Sequence, residues 1–212
     1  SALEMDDFPL PSYGQLPTNR YLLLSVASSR GCPFECSFCA ETVFWKGFRP
    51  KKSRLFEDLD KLAGTYKRTS FYICDSLSNH AINPLTSDIL SSGKPYKLDC
   101  YLRADKICTN EEFTKKWAEG GLIRARLGME SASQRILDEM VKKTTPENMA
   151  KSLHALAGAG VQTSTLWIVG YPGETDDEFS ETLRFISNNK DQIFQADAWL
   201  FQYHPKGLAN SA

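Results

Sequence analysis

Apolar runs alternate with amphipathic stretches along most of this chain. Short runs rich in leucine, isoleucine, valine and aromatic residues, bounded by polar or turn-forming residues, are typical of buried β-strands. They predict six strands, at residues 21–26, 71–74, 97–102, 122–127, 162–169 and 196–202.

Helices are predicted between the strands from apolar residues at helical spacing and from capping residues. Leu55, Leu59 and Leu62 recur on one face after Ser53, which is a candidate N-cap. Four more helix starts follow the same logic: near Thr109, at Ser133, at Thr145 with Pro146 behind it, and at the acid-rich segment 175–178.

Repeated strand–helix units predict a parallel sheet with right-handed crossovers. Six units are too few for a closed eight-stranded barrel, so the predicted fold class is α/β, a partial (β/α)6 TIM-like barrel with parallel strands. The active site of such a sheet lies at the C-terminal ends of its strands. Residues 1–20 are predicted to be an extended lead-in or linker, 21–205 the core domain and 206–212 a tail.

Composition narrows the class of protein. The chain has 212 residues, of which 42% are hydrophobic and 24% charged, values typical of a globular domain rather than a disordered chain. The net charge is -1, so binding driven by phosphate charge alone is not favoured. No apolar run reaches the length needed to cross a bilayer, so we expect no membrane partner.

Three of the six cysteines, Cys32, Cys36 and Cys39, form a C-x3-C-x2-C pattern directly after the first strand. A chain with its own core has no need of a disulfide framework, so a reducing, cytoplasmic compartment and metal ligation are expected. Zinc sites usually add a fourth cysteine or histidine at regular spacing, which is missing here. Three thiolates on a [4Fe-4S] cluster leave one iron open to a ligand. A non-catalytic structural module that binds zinc or an iron–sulfur cluster remains the alternative.

This cysteine loop resembles the signature of the radical S-adenosylmethionine (SAM) superfamily, which includes an aromatic residue, here Phe38, before the third cysteine. Two further stretches resemble segments of its methylthiotransferase and cobalamin-dependent branch. They are L-G-M-E-S-A-S-Q-R-I-L with K-K-T-T, at residues 127–145, and V-G-Y-P-G-E-T at residues 169–175. The resemblance extends from about Tyr21 to Gln202.

The resemblance implies an enzyme. In this family the [4Fe-4S] cluster binds SAM and reductively cleaves it to methionine and a 5'-deoxyadenosyl radical, which abstracts hydrogen from a substrate. Cys32, Cys36 and Cys39 would be the cluster ligands, and a flavodoxin- or ferredoxin-type protein the electron donor. The substrate is not readable, and methyl or methylthio transfer are the candidate reactions. Any cobalamin would come from a domain not present here.

The resemblance also implies SAM contacts at the strand ends. Phe38 would lie beside the adenine and Lys142 would pair with the carboxylate. Asp75 and Ser76 stand where many relatives carry Gly-Gly-Glu, so their assignment to the amino group rests on position. Further candidates are Arg103, Glu130, Ser131, Gly170 and Tyr171, at the ends of strands three to five. Capping, turn formation or surface exposure is the structural alternative for these positions.

Other reactive residues have simpler interpretations. We expect Cys74, Cys100 and Cys108 to be small buried packing residues, with no auxiliary cluster. His154 is expected to be structural, and Tyr203-His204 to lie at the rim of the site. One basic stretch is expected to be a solvated loop, and contact with RNA or an anionic substrate is the weaker alternative. It consists of Lys46, Arg49, Lys51, Lys52 and Arg54, with Trp45 and Phe48 beside them.

Overall fold

A computed structural model describes residues 4–45 and 47–203 of the chain. The predicted tail, Lys46 and His204 lie outside these residues.

The described residues form eight strands. They are β1 (Leu24–Val26), β2 (Ser29–Arg30), β3 (Arg49–Pro50), β4 (Ser70–Ile73), β5 (Lys97–Leu102), β6 (Leu122–Glu130), β7 (Gln162–Val169) and β8 (Gln195–Leu200). Six of them make one parallel sheet in the order β1-β4-β5-β6-β7-β8. Each strand pairs with the next long strand along the chain, so the predicted parallel strand–helix architecture is confirmed.

Seven α-helices connect these strands within the described residues. They are α1 (Glu41–Trp45), α2 (Leu55–Tyr66), α3 (Asn79–Ser92), α4 (Glu111–Glu119), α5 (Gln134–Glu139), α6 (Pro146–Gly158) and α7 (Asp176–Asn188). The predicted helix starts at Ser133, Thr145 and Thr175 are confirmed, since each residue is an N-cap whose side chain accepts a hydrogen bond from its own helix. Helices α2 and α4 begin one residue later than predicted, after Arg54 and Asn110.

The sequence patterns missed α3, which connects β4 to β5. Pro84 lies inside this helix, and Asn79 opens it, both of which normally indicate a turn. One apolar face of α3, with Ile82, Leu85 and Ile89, is nevertheless buried in the main core. Tertiary packing therefore holds the helix against its local propensity.

Strands β2 and β3 pair as an antiparallel ladder that was also not predicted. Two-residue strands carry no periodic signal, so only the fold reveals them. The ladder closes the segment between residues 31 and 48, which carries the three clustered cysteines. Gly31 stands at its base with φ +73°, and a Cβ there would come within 2.2 Å of the Gly47 carbonyl oxygen. Only glycine therefore permits this closure.

The two faces of the sheet differ in chemistry because successive strand residues point to opposite sides. One face packs on the helices through fully buried residues such as Phe71, Ile73, Leu98 and Leu127. The other face carries polar residues, including Asp99 and Arg126, which form two hydrogen bonds of 2.7 Å. No helix in the described segments combines the length and apolar content that a bilayer crossing requires.

Candidate active site

A cavity of about 160 Å³ lies where β4, β5 and β6 end. Eight of the residues predicted for the site line it: Cys32, Cys36, Cys39, Phe38, Ser76, Arg103, Glu130 and Lys142. The fold therefore gathers a loop after β1 and the ends of three strands around one space. This is the edge at which parallel sheets place their active sites.

The cysteine loop is anchored on two sides. The Ser37 amide donates to the Met140 carbonyl at 2.9 Å, and the Ser37 hydroxyl donates to the Glu139 carbonyl at 3.0 Å. The Ser37 and Tyr171 hydroxyls are also 2.9 Å apart. Ser37 lies between two of the cysteines, so these contacts fix the loop against the end of α5 and the turn after β7.

All three cysteines are free thiols in a largely enclosed setting. Burial raises the pKa of the Cys39 thiol to about 11, and it also raises the pKa of Cys32. Arg103 and Lys142 act in the opposite direction on Cys32, because positive charge favours a thiolate. The cavity thus holds three soft sulfur donors beside two cations.

Arg103 contacts the cysteine loop directly. Its Nη1 donates to the sulfur of Cys36 at 3.8 Å, and its guanidinium lies 4.0 Å from the ring centroid of Phe34. Its Nη2 is buried and has no hydrogen-bond partner among the described residues. A buried N–H without a partner is costly, so this atom is a site where an anionic ligand would be stabilised.

Glu130 reaches the cavity through an irregular backbone. The pairing of β6 with β7 shifts register between Gly128 and Glu130, and Glu130 has φ +68°. A bulge of this kind re-aims the side chain at the end of a strand. Glu130 Oε1 accepts a hydrogen bond of 2.8 Å from Lys142 Nζ, which lies 5.8 Å from the Phe38 ring centroid.

Four predicted residues lie elsewhere than on the cavity wall. Asp75 is 2% exposed, and its carboxylate accepts hydrogen bonds from the Ser28 amide at 2.7 Å and the Ser29 amide at 3.0 Å, and also from the Ser28 hydroxyl. These contacts brace the chain after β1, a structural role that differs from the expected alternative, in which Asp75 would cap the segment that follows it. The Ser131 hydroxyl likewise accepts from the Ser133 amide, at 3.1 Å.

The turn after β7, with Gly170 and Tyr171, does not line the cavity but packs next to a residue that does. Gly170 has φ +75°, and its amide donates to Glu174 Oε2 at 2.7 Å. Tyr171 is buried beside Ile136 and Met140, with Phe38 packed against the same cluster. Phe38 thus connects this turn to the cavity that it lines.

Two polar lining residues, Glu41 and Tyr101, were not among the residues predicted for the site. Glu41 accepts a hydrogen bond from the Ser76 hydroxyl and is held by the Trp45 indole at 3.0 Å. It follows the last cysteine by two positions, which is the signal that could have indicated it. Tyr101 and Asp99 are two positions apart on β5, so their side chains lie on the same face of the sheet. This spacing of polar residues could have indicated a functional face.

The scattered cysteines divide between two environments. Cys100 and Cys108 are completely buried, as expected for packing residues. The expectation of burial for Cys74 is wrong, because this residue is exposed at the end of β4. His154 is exposed on α6, away from the cavity.

A larger cavity of about 460 Å³ lies between α2 and α3, away from the cysteines. Its lysine and arginine side chains are paired, Lys51 with Asp58, Lys52 with Glu4 and Arg54 with Asp88. Three of the five basic residues of the stretch therefore form ion pairs within the chain.

The donor set fits an iron–sulfur cluster. Each of three thiolates can bind a different iron of a [4Fe-4S] cluster, which leaves one iron open to a ligand. The unpartnered Arg103 Nη2 and the three thiols suit such an anionic group.

Comparison with known proteins agrees with this geometry. Residues 26–186 match the model of the radical SAM superfamily. An anaerobic magnesium-protoporphyrin IX monomethyl ester cyclase from Cereibacter sphaeroides is 29% identical over 164 residues, which cover 74% of this chain and 26% of that protein. An uncharacterised methyltransferase from Pyrococcus horikoshii is 30% identical over 191 residues, 85% of this chain and 41% of that protein.

A solved structure shows the same fold. The radical SAM methyltransferase TsrM from Kitasatospora setae, solved with cobalamin and a [4Fe-4S] cluster bound, superposes with a TM-score of 0.77 at 18% identity. The match covers 89% of this chain and 38% of TsrM, and it confirms the predicted partial-barrel fold class. The chain thus spans about a quarter to two-fifths of the length of these relatives. The family match extends over most of the chain, and the protein belongs to the radical SAM superfamily.

Proposed function

We propose that this chain is the catalytic core of a radical SAM enzyme, in which Cys32, Cys36 and Cys39 hold a [4Fe-4S] cluster. The observation that carries the proposal is the convergence of these cysteines with Arg103 and Lys142 on one cavity. When bound and reduced, the cluster supplies the electron that cleaves a carbon–sulfur bond of SAM. The chain itself must bind SAM, orient it and keep water away.

Different cavity residues suit different parts of the SAM molecule by their charge and shape. Arg103 and Lys142 offer positive charge to the SAM carboxylate, and Glu130 and Ser76 offer acceptors to its amino and hydroxyl groups. The Phe38 ring offers an apolar surface to adenine. The anchored Ser37 keeps the cysteine loop in place, which limits access of water to the metal ligands.

The reaction class follows from the relatives rather than from the cavity. One curated relative and the TsrM structure are described as methyltransferases, and another relative is a cyclase. We favour methyl or methylthio transfer to a substrate that other parts of the full protein select. An external flavodoxin- or ferredoxin-type donor would supply the electrons, and cobalamin would be bound outside this domain.

Anaerobic reconstitution with iron and sulfide tests the proposal. We expect a brown protein with about four irons and four sulfides per chain, which after chemical reduction converts SAM to methionine and 5'-deoxyadenosine. Cys36→Ala should abolish both cluster and cleavage. Cys74→Ala is the matched control, because Cys74 is exposed and lies outside the cavity. A colourless protein with one zinc and no sulfide would contradict the proposal and favour a structural metal module.

A further inference from the structure

Arg103 follows β5 and has an unusually constrained main chain. Asn79, the first residue of α3, accepts from the Arg103 amide at 2.8 Å and donates to the Arg103 carbonyl at 3.1 Å. The Cys108 thiol donates to the same carbonyl at 3.2 Å. The Asp105 amide also donates to this carbonyl, at 2.8 Å, so four hydrogen bonds hold the backbone from which the guanidinium extends.

The guanidinium is equally constrained. The residue is 5% exposed, and Phe34, which lies between two of the cysteines, stacks against it with 4.0 Å from Cζ to the ring centroid. The Nη1 atom is directed at the sulfur of Cys36, which is 3.8 Å away. Packing thus fixes the orientation of the N–H donors, and thermal motion has little room to break the contact.

No carboxylate within the described residues forms an ion pair with this cation. Burial raises the pKa of Asp105, and the charge of Arg103 acts against this shift. The Asp105 oxygens nevertheless accept hydrogen bonds from Asn79 and from the Ile107 amide, not from Arg103. Burying a cation costs free energy unless a negatively charged group lies beside it. The sulfur of Cys36 is the group toward which Arg103 presents a donor.

We infer that Arg103 is a positioning residue that raises the reduction potential of the cluster through its contact with Cys36; this inference rests on the proposed cluster site. Reduction adds one negative charge to the cluster, and a fixed cation in a low-dielectric site stabilises the reduced form more than the oxidised one. An N–H donor to a ligand sulfur has the same effect, because it withdraws electron density from the iron.

A potentiometric titration of the reconstituted chain, followed by electron paramagnetic resonance, tests the inference. We expect Arg103→Gln to lower the reduced-to-oxidised ratio at a given potential at least tenfold, which corresponds to about 59 mV for a one-electron couple. Arg103→Lys keeps the charge but loses the planar donor fork, so its shift should be in the same direction and smaller. Lys106→Gln is the matched control, because it removes an exposed, screened charge three residues away.

The outcomes separate the inference from the proposed function. Failure of the unaltered chain to assemble a cluster would contradict the proposed function itself. A cluster in Arg103→Gln with unchanged iron content and unchanged potential would overturn the role of Arg103 alone. Loss of the cluster from both Arg103 variants, with thermal unfolding of the metal-free chain unchanged, would assign Arg103 to holding Cys36 only and would equally overturn the redox role.

Discussion

Glu130 and Lys142 form an ion pair of 2.8 Å, although their side chains are only 12% and 8% exposed. The pair depends on a glycine two residues before Glu130. A Cβ at Gly128 would lie 2.5 Å from Glu130 Oε1 and 3.1 Å from Lys142 Nζ. Two opposite charges therefore share a space that exists because β6 lacks a side chain at this position, and both line the proposed SAM cavity.

Removing one charge of this ion pair should destabilise the folded chain. Glu130→Gln or Lys142→Met should each lower the free energy of unfolding by about 3 kcal/mol, because the remaining charge stays buried without its partner. The double variant should lose less than the sum of the two single variants. Denaturant unfolding of the four proteins measures this coupling. Strict additivity would show that the two charges do not interact in the folded chain.

Adding one methyl group beneath the pair should be destabilising. Gly128→Ala should lower the free energy of unfolding by about 1–3 kcal/mol, because the Glu130 carboxylate must move from the new Cβ and so loses contact with its buried partner Lys142. Gly158→Ala is the matched control at the end of α6, since no atom lies within 4 Å of its added Cβ. That control should be neutral or stabilising by up to about 1 kcal/mol. Equal effects at the two glycines would contradict the geometry.

Asp75 and Ser76 are adjacent but should behave differently. Asp75→Ala leaves the buried amides of Ser28 and Ser29 without their acceptor, so unfolding should become easier by about 2 kcal/mol. Ser76→Ala alters an exposed hydroxyl and should change stability by less than about 0.5 kcal/mol. Thermal and denaturant unfolding of both variants provide the comparison. Unaltered stability of Asp75→Ala, together with weaker SAM binding, would instead support direct contact between Asp75 and SAM.

The metal-free chain should lose stability at alkaline pH. Burial raises the pKa of the Cys39 thiol from 9.0 to about 11. The unfolded chain therefore releases this proton at lower pH than the folded chain does. Stability from this group is complete below pH 9 and is lost as the pH rises through 11, by at most about 3 kcal/mol.

Cys39→Ala isolates this contribution. Unfolding of the metal-free protein and of Cys39→Ala should be compared between pH 8 and pH 11 by denaturant titration. The difference between their pH slopes measures the thiol itself, because every other titrating group is shared. Parallel curves would show that ionisation of Cys39 does not oppose folding.

Local patterns predicted much of the fold because strands and capped helices are encoded by neighbouring residues. Strands β5 and β7 have the predicted bounds, and α5, α6 and α7 start at the predicted residues Ser133, Thr145 and Thr175. Helix α3 escaped prediction because Pro84 and the polar residues around it oppose a helix locally, while burial of its apolar face favours one.

The sequence by itself indicated which residues we propose to carry the chemistry: the three clustered cysteines, Phe38 and the segments that resemble the radical SAM family. Only the tertiary structure decided how these side chains are used. It directed Asp75 to the amides of Ser28 and Ser29 rather than to the cavity, and it brought Arg103 to Cys36, 67 positions away. Spacing along a chain constrains neighbours within a few residues, whereas contacts between distant residues depend on how strands and helices pack.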